Sequence, residues 1–538
     1  REELPVLFLR LREAAVDGHT ELLELTPRPT SLTPYAAVSL ATRPGDAPAV
    51  VRALVGDGSA AVPSHPEGPA WPEADLERGR GLLTARADGP AGAGVVVVLG
   101  RPSLAEHEGV TAEAARVIAE ALPGARFLPA LRRGNVNGAL DMGLAPGLLP
   151  GRTTLAAGRD WFSGAWGSVP ETTGLGAAGI LASLAGADGG DGDGDGDGDG
   201  DGDGGPKVRA LVALGADVIG DFPDRDLATR ALAAAEFVVA VTGHASPTVE
   251  QADVVLPAAV EHERAGTTTN IEGRVSRLGQ KLVPPGLSWP DWMIAVELAD
   301  ALGADLGIGS ISDLWVEIEG LAPAYAGLTP TVLDSSGGRD GVLTPYDPAA
   351  RASGKDFSVE PTDPMAIPGV ESVERQGAPP RVGLAEPPAV EDLPAEGSPG
   401  ATVGARPPVL AGIPDGEPVH VPPVDSYSLR LISGRRLYDA GSTLAGSPSL
   451  TPLVTPAAAR ANPYDLDRLG LTTGDPVRVR SARGALVLPA DADPGVPRGV
   501  VAVDFNLPAD GDGGAANAAA LLIDAAGAVT DVRMESVR

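Results

Sequence analysis

Cysteine is absent from the 538 residues. With it go disulfides, thiolate-held zinc and cysteine-ligated iron–sulfur clusters anywhere in this chain. Lysine is nearly absent: Lys207, Lys281 and Lys355 are the only three among 41 basic residues, the rest being arginine. None of the three follows the glycines of a phosphate-binding loop. Basic charge as a whole is scarce, because 72 Asp and Glu outnumber it and leave a formal charge of −31. Such a surface repels a phosphate backbone and argues against a nucleic-acid partner. Long apolar runs are missing too. The stretch 95–99 is among the longest, far short of the roughly 20 residues that a membrane-spanning helix needs. The chain starts at Arg1 without a signal-peptide pattern and is expected to be part of something longer.

What is present is globular. Apolar residues make up 43%, enough for several cores at roughly 100–200 residues per domain. Segments 5–10 (PVLFLR) and 22–25 read as short strands, and 48–55 and 74–87 as helices. The run 94–100 (GVVVVLG) has no polar alternation and is expected to be a strand covered on both faces. Residues 111–122 carry apolar residues at helical spacing behind Thr111, a good N-cap, and 125–129 return as a strand. The same rhythm resumes later, with strands at 208–215, 237–241 and 252–256 and helices at 226–235, 290–302 and 311–321. This alternation predicts an α/β fold with a mostly parallel sheet.

Two stretches break the rhythm. Seven consecutive Asp-Gly pairs run from Asp191 to Gly204, where like charges and glycine entropy oppose order. Seventeen prolines fall between Pro345 and Pro423, which predicts an extended connector. The last 110 or so residues return to short Val-rich segments (476–480, 485–489, 499–503) between Gly, Asp and Pro turns, a small β-barrel pattern. The expected organisation is an α/β region over 1–187, a disordered Asp-Gly insertion over 188–205, a second α/β part over 206–327, a Pro-rich linker over 328–425 and a barrel over 426–538.

Motifs of catalysis are weak throughout. Residues 174–179 (GLGAAG) match the dinucleotide fingerprint, but a loop precedes them where a strand should feed the glycines. They read as a Gly-rich loop closing against a helix. The Asp-Gly run has Gly196 at the sixth position of a calcium loop but Gly202 where a bidentate Glu is required. His262-Glu263 begins a zinc-protease pattern whose second histidine would fall on Gly266. The cluster Glu261-His262-Glu263-Arg264 is expected to be a structural ion-pair network.

Two stretches resemble a known family. Residues 252–279 (ADVVLPAAVEHERAGTTTNIEGRVSRLG) resemble a segment of the molybdopterin oxidoreductase superfamily, through Asp253, Pro257, Glu263, Gly266, Thr267, Asn270, Glu272, Gly273 and Arg274. Residues 462–484 (NPYDLDRLGLTTGDPVRVRSARG) resemble its closing molybdopterin-dinucleotide-binding barrel, with 435–439 and 448–450 fitting the start of that barrel. Residues 133–151 (RGNVNGALDMGLAPGLLPG) and 5–44 resemble one branch of the superfamily, the large iron–sulfur subunits of the bacterial proton-pumping NADH:quinone oxidoreductase (complex I).

The resemblance implies formate dehydrogenase/DMSO reductase-like parallel-sheet domains and a C-terminal double-psi-like barrel. It implies iron–sulfur clusters only in an N-terminal portion that this chain does not contain. The expected partners are the other peripheral-arm subunits of complex I, on the cytoplasmic side of the bacterial plasma membrane, with membrane contact only through the complex. In that branch the α/β bulk acts as a non-catalytic scaffold. No catalytic residue and no metal ligand is expected, no molybdopterin either, and Asn270, Glu272, Gly273 and Arg274 would be a vestigial cleft motif. The superfamily's enzymes place an acid before Pro-Arg to hold the nucleotide ribose, and Thr26 stands there. The alternative implied by the same motifs is a truncated true molybdopterin oxidoreductase of the formate dehydrogenase or nitrate reductase type.

Overall fold

The structure, a computed structural model, describes residues 3–56, 72–84, 94–101, 103–186, 208–334, 341–347, 406–410, 418–425, 427–509 and 517–537. The Asp-Gly run and most of the Pro-rich stretch lie outside them.

A front unit opens with α1 (Pro5–Val16) and the parallel pair β1 (Leu23–Thr26) and β2 (Val38–Ala41), backed by α2 (Ala47–Val55) and α3 (Glu73–Thr84). Val38, Leu40, Val50, Ala53, Leu54 and Leu76 close its core. A second parallel pair follows, β3 (Val96–Leu99) with β4 (Arg126–Pro129), joined by α4 (Glu108–Ala121). Residues 5–10 are helical, not a strand: Pro5 sits at the first helical position, where its missing N–H costs nothing. Helix α4 starts earlier than Thr111, because the ring Nδ1 of His107 accepts from the Gly109 amide and caps it. Strand β3 is covered on one face only, with Val96 61% and Val98 39% exposed.

After α5 (Val136–Asp141), the short ladder β5 (Leu148–Leu149) and β6 (Thr153–Thr154), α6 (Leu155–Trp166) and α7 (Ala177–Ala185), a second unit forms around the parallel sheet β7 (Ala210–Leu214), β8 (Phe237–Thr242) and β9 (Val254–Pro257). Three helices connect these strands: α8 (Val218–Asp221), α9 (Arg225–Ala234) and α10 (Pro247–Glu250). Helices α7 and α9 bury one sheet face through Leu181, Leu184, Leu227, Ala228, Ala231 and Leu232.

The chain then makes an antiparallel hairpin of β10 (Gly266–Thr269) and β11 (Arg274–Leu278), followed by α11 (Asp291–Ala301) and α12 (Ile311–Leu321). The ordered body continues past 327, contrary to a connector beginning there. Helix α13 (Pro330–Asp334) carries proline only at its first position, and β12 (Val342–Leu343) adds to β11 with Val342 fully buried beside Val275. Two further pieces of the Pro-rich stretch are anchored. The Leu410 amide donates to the Arg152 carbonyl at 2.6 Å, and the Val419 amide to Glu113 at 3.2 Å.

The C-terminal part is a closed six-stranded barrel in the order β13 (Leu429–Ile432), β17 (Val500–Ala502), β14 (Ala459–Ala461), β16 (Ala485–Ala492), β15 (Pro476–Arg480) and β18 (Asp531–Ser536). Pairs β13–β17 and β14–β16 are parallel and the other ladders antiparallel. In β15 the alternation is plain: Val477 and Val479 fill the core, while Arg478 and Arg480 face out. Residues 103–107 of the front unit extend this barrel. The Leu104 amide donates to Ser433 at 2.7 Å, the Thr530 amide to Ala105 at 3.0 Å and the His107 amide to Ala528 at 3.0 Å.

Candidate functional site

Residues 270–274 form the turn between β10 and β11, and they bond first among themselves. Asn270 Oδ1 accepts from the Glu272 and Arg274 amides, both at 2.9 Å. Gly273 takes φ +82°, where a Cβ would be strained, and its amide donates to the Asn270 carbonyl. Arg274 Nε meets Glu272 at 3.1 Å, and its Nη1 donates to the Gly341 carbonyl at 3.4 Å. The remaining groups tie the turn to its surroundings. Glu272 meets Arg10 of α1 at 3.2 Å, the Asn270 carbonyl accepts from Asn137 at 2.7 Å, and the Gly273 carbonyl accepts from the amide and hydroxyl of Thr344. The turn joins α1, α5, the hairpin and β12.

Beneath it lies a buried network that the sequence did not announce. Asp141, 1% exposed, receives both Nε and Nη2 of Arg152, together with the Tyr325 hydroxyl at 2.8 Å. Arg152 also donates to Thr344 at 3.0 Å. A buried carboxylate tolerates its desolvation when its oxygens are bonded, and both oxygens of Asp141 accept here. Burial, and then the charge of Asp141, hold the Tyr325 phenol above its ordinary range, so it acts as a donor.

Where the front unit, the second unit and the barrel meet, arginines converge. Arg435 donates to Asp221 at 2.8 Å and lies 3.5 Å from Asp439, with its guanidinium 4.9 Å over the Phe505 ring. Asp439 also accepts from Gly441 and Asn506. A few residues on, three guanidinium groups share one carboxylate. Arg460 stands 2.5 Å, Arg28 3.4 Å and Arg436 3.6 Å from Asp504, whose side chain is 5% exposed. Burial first, opposed by Asp504 and reinforced by Arg460 and Arg436, lowers the pKa of Arg28.

In the superfamily's enzymes an acid before Pro-Arg holds a nucleotide ribose, and the residue at that position of this chain is engaged elsewhere. Thr26, standing for the ribose-binding acid, is 8% exposed and spends its hydroxyl on the Arg28 carbonyl at 2.7 Å. Arg435 is already clasped by two carboxylates of its own chain. The Gly45 turn before α2 is closed over: a Cβ there would lie 2.5 Å from Val421.

Other sequence candidates disperse. Residues 174–176 are exposed and precede α7 with no strand leading in. Glu263 accepts from the Val260 amide and Arg264 pairs with Asp291, so the 261–264 cluster turns outward to separate partners. Among the described residues no group of three or more His, Asp or Glu is placed to hold a metal.

Residues 204–301 match the family described as molybdopterin oxidoreductase, and 429–529 the molydopterin dinucleotide binding domain. The chain is 28% identical over 525 residues to the second G-type subunit of NADH-quinone oxidoreductase in Rhizobium meliloti, covering 94% of this chain and 51% of that protein. It is 26% identical over 389 residues to F420-dependent formate dehydrogenase 2 subunit alpha of Methanococcus maripaludis, covering 72% and 48%. The chain thus spans about half the length of these relatives. Among solved structures, acetylene hydratase from Pelobacter acetylenicus superposes with a TM-score of 0.55 at 15% identity, covering 98% of this chain and 75% of that one. The chain thus carries two segments of molybdopterin-oxidoreductase type, 204–301 and 429–529, in a fold similar to that of acetylene hydratase.

Proposed function

We propose that this chain is a non-catalytic scaffold within the large subunit of an NADH:quinone oxidoreductase, in the peripheral arm on the cytoplasmic face of the membrane. It would hold a neighbouring iron–sulfur-bearing portion in place for electron transfer from NADH to quinone, without a pterin of its own. The observation that carries this reading is the state of the cleft donors. Thr26, at the ribose position, and Asn270, Glu272 and Arg274 of the cleft motif are bonded to other parts of the same chain. The similarity to the Rhizobium oxidoreductase over 94% of the chain supports the assignment to that kind of complex. Among the described residues no helix is long and apolar enough to cross a membrane, consistent with attachment through partners.

Purified protein, oxidised to release fluorescent pterin derivatives and analysed for molybdenum and tungsten, is expected to give neither in stoichiometric amount. A tagged copy in its host is expected to co-sediment with membrane-bound NADH dehydrogenase activity. Stoichiometric pterin with turnover of formate or nitrate would establish the enzyme reading instead.

A further inference from the structure

Among the described residues the sheet of the second unit is packed over most of one face, Val255 excepted, and only partly covered on the other. Parallel sheets occur with helices on both faces, because their strands are apolar throughout. Helices α7 and α9 cover the side that carries Leu211. The register places Val212, Val239 and Val254 in one row of the opposite face, flanked by Phe237 in the row before and by Leu214, Val241 and Leu256 in the row after. Helix α11 covers the β8 and β9 side of that face, where Ile294 clusters with Val241, Val239 and Leu256. The rest is open, with Leu214 63%, Val212 53%, Phe237 45% and Val254 37% exposed. Among the described residues β7 is also an edge strand, so the apolar face ends in unpaired backbone.

We propose that this face is the seat of an amphipathic helix from the polypeptide that makes up the other half of the Rhizobium relative. The inference rests on the scaffold reading above and names the surface through which the scaffold works. Three observations select this occupant. A helix is what completes a parallel sheet only partly covered on one face. The chain matches only 51% of its Rhizobium relative, so there a polypeptide of comparable size accompanies the same fold. A second copy is disfavoured, because two bodies of formal charge −31 repel one another. Once seated, the helix would bury Val212, Leu214, Phe237 and Val254 and cover the open β7 edge.

The lack of cysteine makes the test direct, since one introduced thiol is the only thiol of this chain and its labelling is read by the mass of this chain alone. Leu214→Cys and Val212→Cys report on the face, and Val487→Cys, on a barrel strand and 45% exposed, serves as control. Each variant is labelled with a maleimide, alone and with the purified half of the Rhizobium protein that lies outside the matched region. Binding should slow labelling at 214 and 212 at least tenfold and leave 487 unchanged. Binding without protection at 214 and 212 would overturn this surface while leaving the scaffold reading standing. No binding at all would count against both. Protection that grows with the concentration of the chain alone would identify a second copy as the occupant and overturn the proposal.

Discussion

Glu106 enters the seam between the front unit and the barrel almost wholly enclosed, 7% exposed, with the Gly45 amide donating to it at 2.5 Å. Burial is the main cause that pushes its carboxyl up from 4.5 to about 7, opposed by the Gly45 amide and reinforced by the charge of Asp46; Arg101 and Arg430 pull the other way. Asp46 is itself pushed up to about 6, again chiefly by burial. A carboxyl whose folded pKa is raised binds its proton more tightly in the folded state. Its contribution is therefore complete below about 4.5 and is lost as pH rises through about 7. The gap corresponds to about 3 kcal/mol at most. The urea midpoint is expected to fall between pH 5 and pH 8. Glu106→Gln, which keeps an acceptor for Gly45 and carries no charge, should remove most of that slope. A variant with the slope of the parent would show that the proton is bound elsewhere.

At the scale of elements, the seam is a strand addition. Residues 103–107 pair with the barrel through Ser433, Ala528 and Thr530, and Glu106 forms an antiparallel bridge with Val529. Ser103, 1% exposed, sets the register: its hydroxyl oxygen accepts from the Ser433 amide at 3.0 Å and from the Ala105 amide at 3.1 Å. Ser103→Ala leaves two buried donors without that acceptor and should cost about 1–3 kcal/mol. Hydrogen exchange at the Ser433 and Leu104 amides should quicken, while the Val477 and Val479 amides inside the barrel keep their protection. Equal quickening at all four would mean that the barrel, not the seam, had loosened.

None of this pairing was legible in the sequence, because 103–107 carries no strand pattern and gains its partners only from chain more than 300 residues away. Period and punctuation, by contrast, were readable. Helix α12 (Ile311–Leu321) and β15 (Pro476–Arg480) fall where the spacing of their apolar residues places them. Two elements misled. The apolar run at 5–10 carries no signal separating strand from helix beyond Pro5, and it forms α1. The valines of 95–99 announced a core strand, but burial depends on what lies opposite, and Val96 and Val98 face outward. The candidate site was half legible. Asn270 and Arg274 could be picked out by motif, whereas Asp141, Arg152 and Tyr325 are scattered over the chain and meet only in the fold.

For the whole molecule, Asp504 is the point on which the front unit and barrel are jointly fastened. Arg28 arrives from the β1 end, Arg436 and Arg460 from the barrel, and the barrel carboxylate leaves the four groups with an excess of two positive charges. In a chain of formal charge −31 that excess is tolerated by the surrounding field, to which Asp493 contributes at Arg28, but the contact shared by all three arginines depends on one side chain. Asp504→Asn removes the shared counter-charge without changing shape and strands three partly buried cations. Breaking one side of a buried pair costs about 3–5 kcal/mol, so unfolding should begin at a clearly lower urea concentration. Because the penalty is mutual repulsion among Arg28, Arg436 and Arg460, added salt should screen it. The deficit relative to the parent should therefore shrink between 0.01 and 1 M sodium chloride, where the Debye length falls from about 30 to about 3 Å. Arg28→Gln, placed in the Asp504→Asn background, should recover part of the loss at low salt by removing one of the repelling charges. A deficit indifferent to salt and unrelieved at position 28 would mean that Asp504 holds the two units together through hydrogen bonding alone.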